Sequence, residues 1–259
     1  MSQRTEWPIT FFDEGYLKIY QPQITAERNR AETDFIAAAL DLPRGARVLD
    51  LACGPGRHAI GMAQRGHQVT GVDFNPHYLE IAAAAAEQAG VQVTWRVGDM
   101  RALQFEAAFD GAYSYFTSFG YFTDPENERV IGNIVRALRP SGRFLIDMAN
   151  REWLLTHPQQ RTWTQQQDGG LLMEEAILDL ATSRVTSRLT LIPPEGGAQV
   201  TKEFHLRLYT CAELTSMFAR LGLKVTSIWG GPDGSDYSAE SRRLIMLAER
   251  EAGGCGDAG

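Results

Sequence analysis

Two rhythms of apolar residues run along the chain. Between about residue 45 and residue 148, short apolar runs alternate with stretches whose apolar positions recur every three or four residues, the pattern of strands followed by helices. Ala46–Leu51 (ARVLDL) reads as a buried strand, and the helix after it stops near Gly66, a residue type suited to the position just past a helix end. Gln68–Asp73 (QVTGVD) is the second strand. Asn75 caps the next helix, Pro76 takes its first position, Leu79, Ala82, Ala83 and Ala86 share one face, and Gly90 ends it. QVTWRV and FDGAYSYF read as strands. Asp124-Pro125 then opens a helix with Val130, Ile131, Ile134, Val135 and Leu138 turned inward, closed by a turn at RPSG before the strand GRFLID. Such a series predicts an α/β fold with a parallel sheet covered by helices on both faces.

From Arg161 to Tyr209 the period changes. RTWTQQQ, LLMEEAILDL, RVTSRLTLI and AQVTKEFHLRLY are strand-like and are separated by DGG, ATS and PPEGG, which predicts antiparallel hairpins inserted into the series. The first rhythm then returns. Thr210 to Glu213 reads as a capping box, Leu214, Met217, Phe218 and Leu221 form an inner face, Gly222 ends the helix, and LKVTSIWG and RRLIMLAE supply two more strands. EAGGCGDAG is a small, polar, disordered tail in this reading.

Composition narrows the class. A chain of 259 residues, 44% hydrophobic and 22% charged, is ordinary globular material with room for one sizeable core and an insertion. The start MSQRTEWPIT lacks the features of a signal peptide and no apolar stretch is long enough for a bilayer, so a cytoplasmic protein is expected. Cys53, Cys211 and Cys255 lie far apart without metal-ligand spacing, so neither disulfides nor a metal site is expected. A net charge of −7 speaks against a protein that grips nucleic acid through phosphates.

The stretch VLDLACGPGRHAIGMA places a glycine-rich turn between strand and helix. Gly54-Pro-Gly56-Arg-His-Ala fits the dinucleotide pattern, but no GK[ST] follows, which removes triphosphate chemistry. Asp50 precedes the glycines, where it would repel a pyrophosphate and attract an ammonium group. Asp73 ends the second strand, where an acid holds ribose hydroxyls. Asp99, in VGDM, ends the third and is placed to accept from an adenine amine. Together the three acids match S-adenosylmethionine. A nicotinamide-dependent oxidoreductase is the competing reading, and the acids at 50 and 99 count against it.

At these motifs the chain resembles the class I S-adenosylmethionine-dependent methyltransferases, with VLDLACGPG, GVDFNP, VGDMRAL, FDGAYSYFTSFGYF and LRPSGRFLIDM in the places of five family regions. The insertion and the ending SDYSAESRRLIMLA are similar to small-molecule members acting on amines and amino sugars. The resemblance implies a seven-stranded doubly wound sheet whose last strand is antiparallel. It divides the chain into an N-terminal helical cap (1–44), a Rossmann-like cofactor domain (45–160 and 210–249), inserted hairpins (161–209) and a tail (250–259). It also implies cofactor contacts from Asp50, Ala52, Gly54, Gly56, Asp73, Phe74, Asp99, Met100, Tyr115 and Tyr16, the last on an N-terminal helix over the methionine end.

A sulfonium methyl needs mainly in-line alignment with its nucleophile, so no catalytic triad is required. Tyr16 and His205 are the candidate catalytic groups. Phe116, Phe119, Tyr121 and Phe122 on and after the fourth strand, with Arg207 on the hairpins, are the candidate acceptor-binding residues. Arg57 and His58 stand at a helix start, facing either the site or solvent. The absence of an Asn/Asp-Pro-Pro-aromatic motif and of Pro-Cys counts against base methylation. A small-molecule acceptor, with an N- or O-nucleophile, and a monomer or homodimer are expected. A non-catalytic cofactor-binding protein and an enzyme acting on RNA or protein are the alternatives.

Overall fold

The computed structural model describes residues 8, 11–20, 24–157, 161–166, 168–194 and 197–252. Of the tail expected from residue 250, residues 253–259 lie outside the described residues, and Arg250 closes the last strand. Helices α1 (Glu14–Tyr20) and α2 (Ala26–Leu40) precede the first strand. The series continues with β1 (Arg47–Leu51), α3 (Arg57–Gln64), β2 (Gln68–Asp73), α4 (Pro76–Gln88), β3 (Thr94–Val97), β4 (Phe109–Ser114), α5 (Asp124–Ala137), β5 (Leu138–Ala149) and α6 (Arg151–Thr156). Four strands follow: β6 (Arg161–Gln165), β7 (Leu171–Asp179), β8 (Arg184–Ile192) and β9 (Val200–Arg207). Then come α7 (Cys211–Arg220), β10 (Leu223–Trp229) and β11 (Arg243–Arg250).

Seven strands form one sheet in the order β10-β11-β5-β4-β1-β2-β3. From β3 to β5 neighbours run parallel, and β11 runs antiparallel to both β5 and β10. The expected architecture is therefore present, including the reversed last strand. In the central strand Asp50 pairs with Gly71 on one side and Tyr113 on the other, so its carboxylate emerges at the middle of the sheet's carboxyl edge. Apolar faces of α5 (Val130, Ile131, Ile134) and α7 (Leu214, Met217, Phe218) cover one side of the sheet, and those of α2 (Ile36, Leu40) and α3 (Ala59, Met62) the other. The caps are local. Asn75 accepts the His77 N–H (3.0 Å), and Thr210 and Glu213 exchange backbone-to-side-chain bonds of 2.8 and 3.1 Å, each such cap contributing about 1 kcal/mol.

One local expectation changes. The RPSG turn is absorbed into β5: Leu138 leaves the helix and pairs with Phe109, and Ser141, at φ +61°, marks the bend. Phe12 lies just ahead of α1 and meets Tyr16 of that helix edge-on.

The second sheet, β6-β7-β8-β9, is antiparallel throughout. Alternation puts Leu172, Leu189 and Leu191 on a face that closes over Phe11 and Ile19 from the α1 region, while Trp163, Met173 and Ile177 are exposed. Two backbone bonds of 2.8 Å, Arg207 N–H to the Gly120 carbonyl and Leu208 N–H to that of Ser183, join the end of β9 to the loop after β4 and to the β7–β8 turn.

Candidate functional site

At the carboxyl ends of β1, β2 and β3 a cavity of about 450 Å³ opens, of a size that suits a small ligand and at the edge where open α/β sheets take one. Asp50, Asp73 and Asp99 all line it. Asp50 is buried and accepts the Tyr113 hydroxyl at 2.9 Å. Burial pushes its carboxyl up to about 7, the Tyr113 bond and the Arg57 charge only partly opposing this. Asp73 closes the loop between β1 and α3: its Oδ2 accepts the Gly54 N–H (2.8 Å) and its Oδ1 the Asn75 N–H (2.9 Å). Desolvation raises this carboxyl too, against those two bonds. Asp99 differs. Arg101 covers both its oxygens, from 2.7 to 3.1 Å, and the pairing outweighs desolvation to lower its pKa.

The two glycines of the turn have separate jobs. Gly54 has φ +53° and open space where a Cβ would point, so a ligand can approach the backbone there. Gly56 does not line the cavity. A Cβ on it would meet Trp95 at 2.6 Å and Ala82 at 2.8 Å, so its small size serves the packing of α4 and β3 beneath the loop. Ala52, at φ +59°, lines the cavity with Phe74 and Met100.

Aromatic side chains form the opposite wall. Phe12, Tyr16 and Tyr20 pack in sequence, the first pair edge-on and the second tilted, with ring centroids 4.8 and 4.6 Å apart, and reach Tyr121 (5.6 Å from Phe12) and Phe116 (6.0 Å from Tyr20). Phe122 and Tyr115 also line the cavity. Phe116 and the next residue, Thr117, have φ of +68° and +60°. This costly pair of left-handed residues is held by Asp147, whose carboxylate accepts the Phe116 N–H (2.8 Å) and whose carbonyl accepts that of Thr117 (3.0 Å). Arg243 pairs with Asp147 and donates to the Thr117 hydroxyl at 2.9 Å.

Four sequence candidates lie elsewhere. Phe119 is buried in the core against Tyr209 (centroids 5.6 Å). Arg207 lies over the Tyr209 ring and donates to Glu213 at 2.5 Å. His205 is on the sheet face opposite Phe204 and Leu206, beside Thr186 (3.0 Å) and Glu203 (3.4 Å), because alternation turns it away from the cavity. Gly56 is the fourth. Tyr16 does line the cavity, but burial raises its phenol far above the usual value, making it a neutral donor and no base at ordinary pH.

The sequence reading missed a buried cluster beside Asp50. Glu32 of α2 accepts from Arg28 (2.8 Å), from Arg57, and from His58 (3.1 Å). Burial would raise the Glu32 carboxyl, but the His58 bond and the two guanidinium groups hold it far below the usual range. Desolvation lowers His58 to about 4, so the imidazole is neutral and its Nε2–H makes the bond. Arg57 and His58 thus face the cavity side, as one of the two sequence readings had it.

Residues 48–142 match a methyltransferase domain family. A ubiquinone biosynthesis O-methyltransferase from Xanthomonas oryzae pv. oryzae is 33% identical over 124 residues, 48% of this chain and 51% of that protein. The chain thus spans about half the length of the curated relatives it matches. Among solved structures, the CcbJ methyltransferase from Streptomyces caelestis superposes with a TM-score of 0.76 at 21% identity, over 86% of this chain and 90% of that one. An amino pentose methyltransferase from Micromonospora echinaspora, solved with S-adenosylmethionine bound, gives 0.66 at 20% identity over 91% and 96%. By this match residues 48–142 are a methyltransferase domain, and the fold around it is the one these solved methyltransferases share.

Proposed function

We propose that the protein transfers the methyl group of S-adenosylmethionine to a nitrogen or oxygen nucleophile of a small molecule. The observation that carries this reading is the placement of three carboxylates, Asp50, Asp73 and Asp99, on three neighbouring strand ends around one cavity. That set suits an ammonium, a ribose diol and an adenine amine, and repels a pyrophosphate. The fit is supported by the open space over Gly54 and by a cavity volume of about 450 Å³. The relative named for ubiquinone biosynthesis and the structural neighbour named for an amino pentose both support a small acceptor.

When bound, S-adenosylmethionine supplies a sulfonium methyl already activated for displacement. The chain's part is to orient and to exclude water. In this reading Asp50 takes the ammonium beside the backbone of Ala52 and Gly54, and Asp73 takes the ribose hydroxyls. Phe74 and Met100 flank the adenine, and Asp99 accepts from its amine with the lone pairs that Arg101 leaves. Tyr16 and Tyr115 close the methionine end. Phe116, Tyr121 and Phe122 wall the acceptor side, where ring faces favour positive charge developing on an attacking amine. The hairpin insertion supports that wall from behind. Thermal shift with S-adenosylhomocysteine and with NAD tests the cofactor: stabilisation by the first alone is expected, and stabilisation by NAD alone overturns the reading. Release of S-adenosylhomocysteine across metabolite pools, against RNA and protein pools, tests the acceptor. Turnover only with RNA or protein rejects the small molecule, and binding without turnover on any pool favours the non-catalytic alternative.

A further inference from the structure

We propose that Arg57 is the receptor for the α-carboxylate at the amino-acid end of the cofactor, an inference that rests on the cofactor reading above. Arg57 is the first residue of α3 and lines the cavity. Its Nη1 is anchored from behind by Glu32 and by Asn29 (3.3 Å), which fixes the plane of the guanidinium. Its Nη2 is buried and has no hydrogen-bond partner among the described residues. A buried donor left unpaired keeps its full desolvation penalty, larger still when it is charged, so a site that tolerates one is built for a group that arrives later.

Charge and position narrow that group. Glu32 carries one negative charge shared by Arg28 and Arg57, and His58 is neutral, so the cluster keeps one positive charge in excess. The cationic side chains on the cavity wall are Arg57 and Arg101, among the described residues. Arg101 is committed to Asp99 and to Glu126 (2.8 Å) at the β3 end. An amino acid carries its ammonium and carboxylate on the same carbon. If Asp50 holds the first, the second falls next to Asp50, and Arg57 is the cation whose charge acts on that carboxylate. The guanidinium fork suits a carboxylate geometrically, whereas a lysine there would offer only a point charge.

The test compares two ligands by calorimetry: S-adenosylhomocysteine, and 5′-methylthioadenosine, the same nucleoside thioether without the amino-acid end. Arg57→Gln removes the charge and can still donate to Glu32. It should weaken S-adenosylhomocysteine by tenfold to a hundredfold and leave 5′-methylthioadenosine within twofold. Arg57→Lys should fall between. The nucleoside doubles as a folding control: if Arg57→Gln fails to fold and loses both ligands, Arg57→Lys decides by the same contrast. Equal weakening of both ligands by a folded variant, or unchanged affinity for S-adenosylhomocysteine, overturns the proposal. Wild-type protein that binds neither ligand overturns the cofactor reading itself, and this inference with it.

Discussion

Asp50, Asp73 and Asp99 stand at the ends of consecutive parallel strands, and each is fixed by hydrogen bonds from one or a few neighbouring groups. The facing wall is made differently. Phe12, Tyr16 and Tyr20 come from the N-terminal segment, Phe116 and Tyr121 from the loop after β4, and they are held by ring contacts among themselves and, for all but Phe116, by apolar packing against the second sheet. Directional bonds fix one wall to within a few tenths of an ångström, while the other depends on shape filling among large side chains. Substitutions on the first should therefore change which ligand is held, and substitutions on the second should change how well the space is enclosed.

The largest expected effect breaks the boundary between the walls. Phe119 sits in the aromatic loop yet belongs to the core, so Phe119→Ala should cost about 3–5 kcal/mol of stability in denaturant unfolding. Loss of turnover in a fully stable variant would put Phe119 back at the acceptor. Asp73→Ala should weaken S-adenosylhomocysteine by about 2–4 kcal/mol, roughly thirtyfold to a thousandfold. Because this carboxylate also ties down Gly54 and Asn75, the melting temperature should fall as well. Near-wild-type affinity in calorimetry would mean that the ribose is held elsewhere.

Asp50 sharpens the comparison through pH. Its folded value of about 7 lies above the ordinary 3.8, so the folded protein holds the proton more tightly than the unfolded chain. The stabilising share is complete below about pH 4 and is lost as pH climbs through about 7. Asp50→Asn should thus raise the melting temperature of the ligand-free protein more at pH 8 than at pH 5.5, and an equal gain at both would refute the assignment. On the proposed reading, in which this carboxylate meets the ammonium, affinity of the wild type for S-adenosylhomocysteine should rise over the same interval as it ionises. Smaller effects belong to the aromatic wall. Tyr121→Ala should lower turnover about tenfold with cofactor affinity within about threefold, since the two sets of contacts do not overlap. Tyr16→Phe should change S-adenosylhomocysteine affinity by less than about fivefold, the worth of one neutral hydrogen bond.

Elements whose signals lie close together in the chain were legible beforehand. The Asn75-Pro76 start of α4, the Thr210–Glu213 box and the strand run before Gly54 each need only a few neighbouring residues. What stayed hidden was joined across distance. Glu32 looks like one acid among several in AERNRAETD, and its partners Arg57 and His58 lie 25 and 26 positions away. Alternation rightly placed His205 and Arg207 on one face of β9, but which face meets the cavity depends on how the insertion docks on α1, and no residue of β9 encodes that alone. Phe119 was misplaced for a similar reason: the left-handed turn at Phe116 and Thr117 reverses the loop, and only Asp147 and Arg243, from two other strands, make that turn affordable.

Asp13 is grasped from two directions. Its carboxylate meets Lys202 of β9, while its carbonyl accepts the Tyr78 hydroxyl at 3.1 Å and the neighbouring Phe12 carbonyl accepts from Asn75 at 2.7 Å. The segment under Tyr16 and Tyr20 is thereby buckled to the second sheet and to the start of α4 at once. For any molecule enclosed beneath it, the residence time is set by how often this buckle opens, and half of the buckle is an ion pair whose Asp13 side is half exposed. Ionic strength then becomes a clock setting: raising it should speed escape of a bound nucleoside in stopped-flow traces, with the off-rate losing its salt dependence in Lys202→Met.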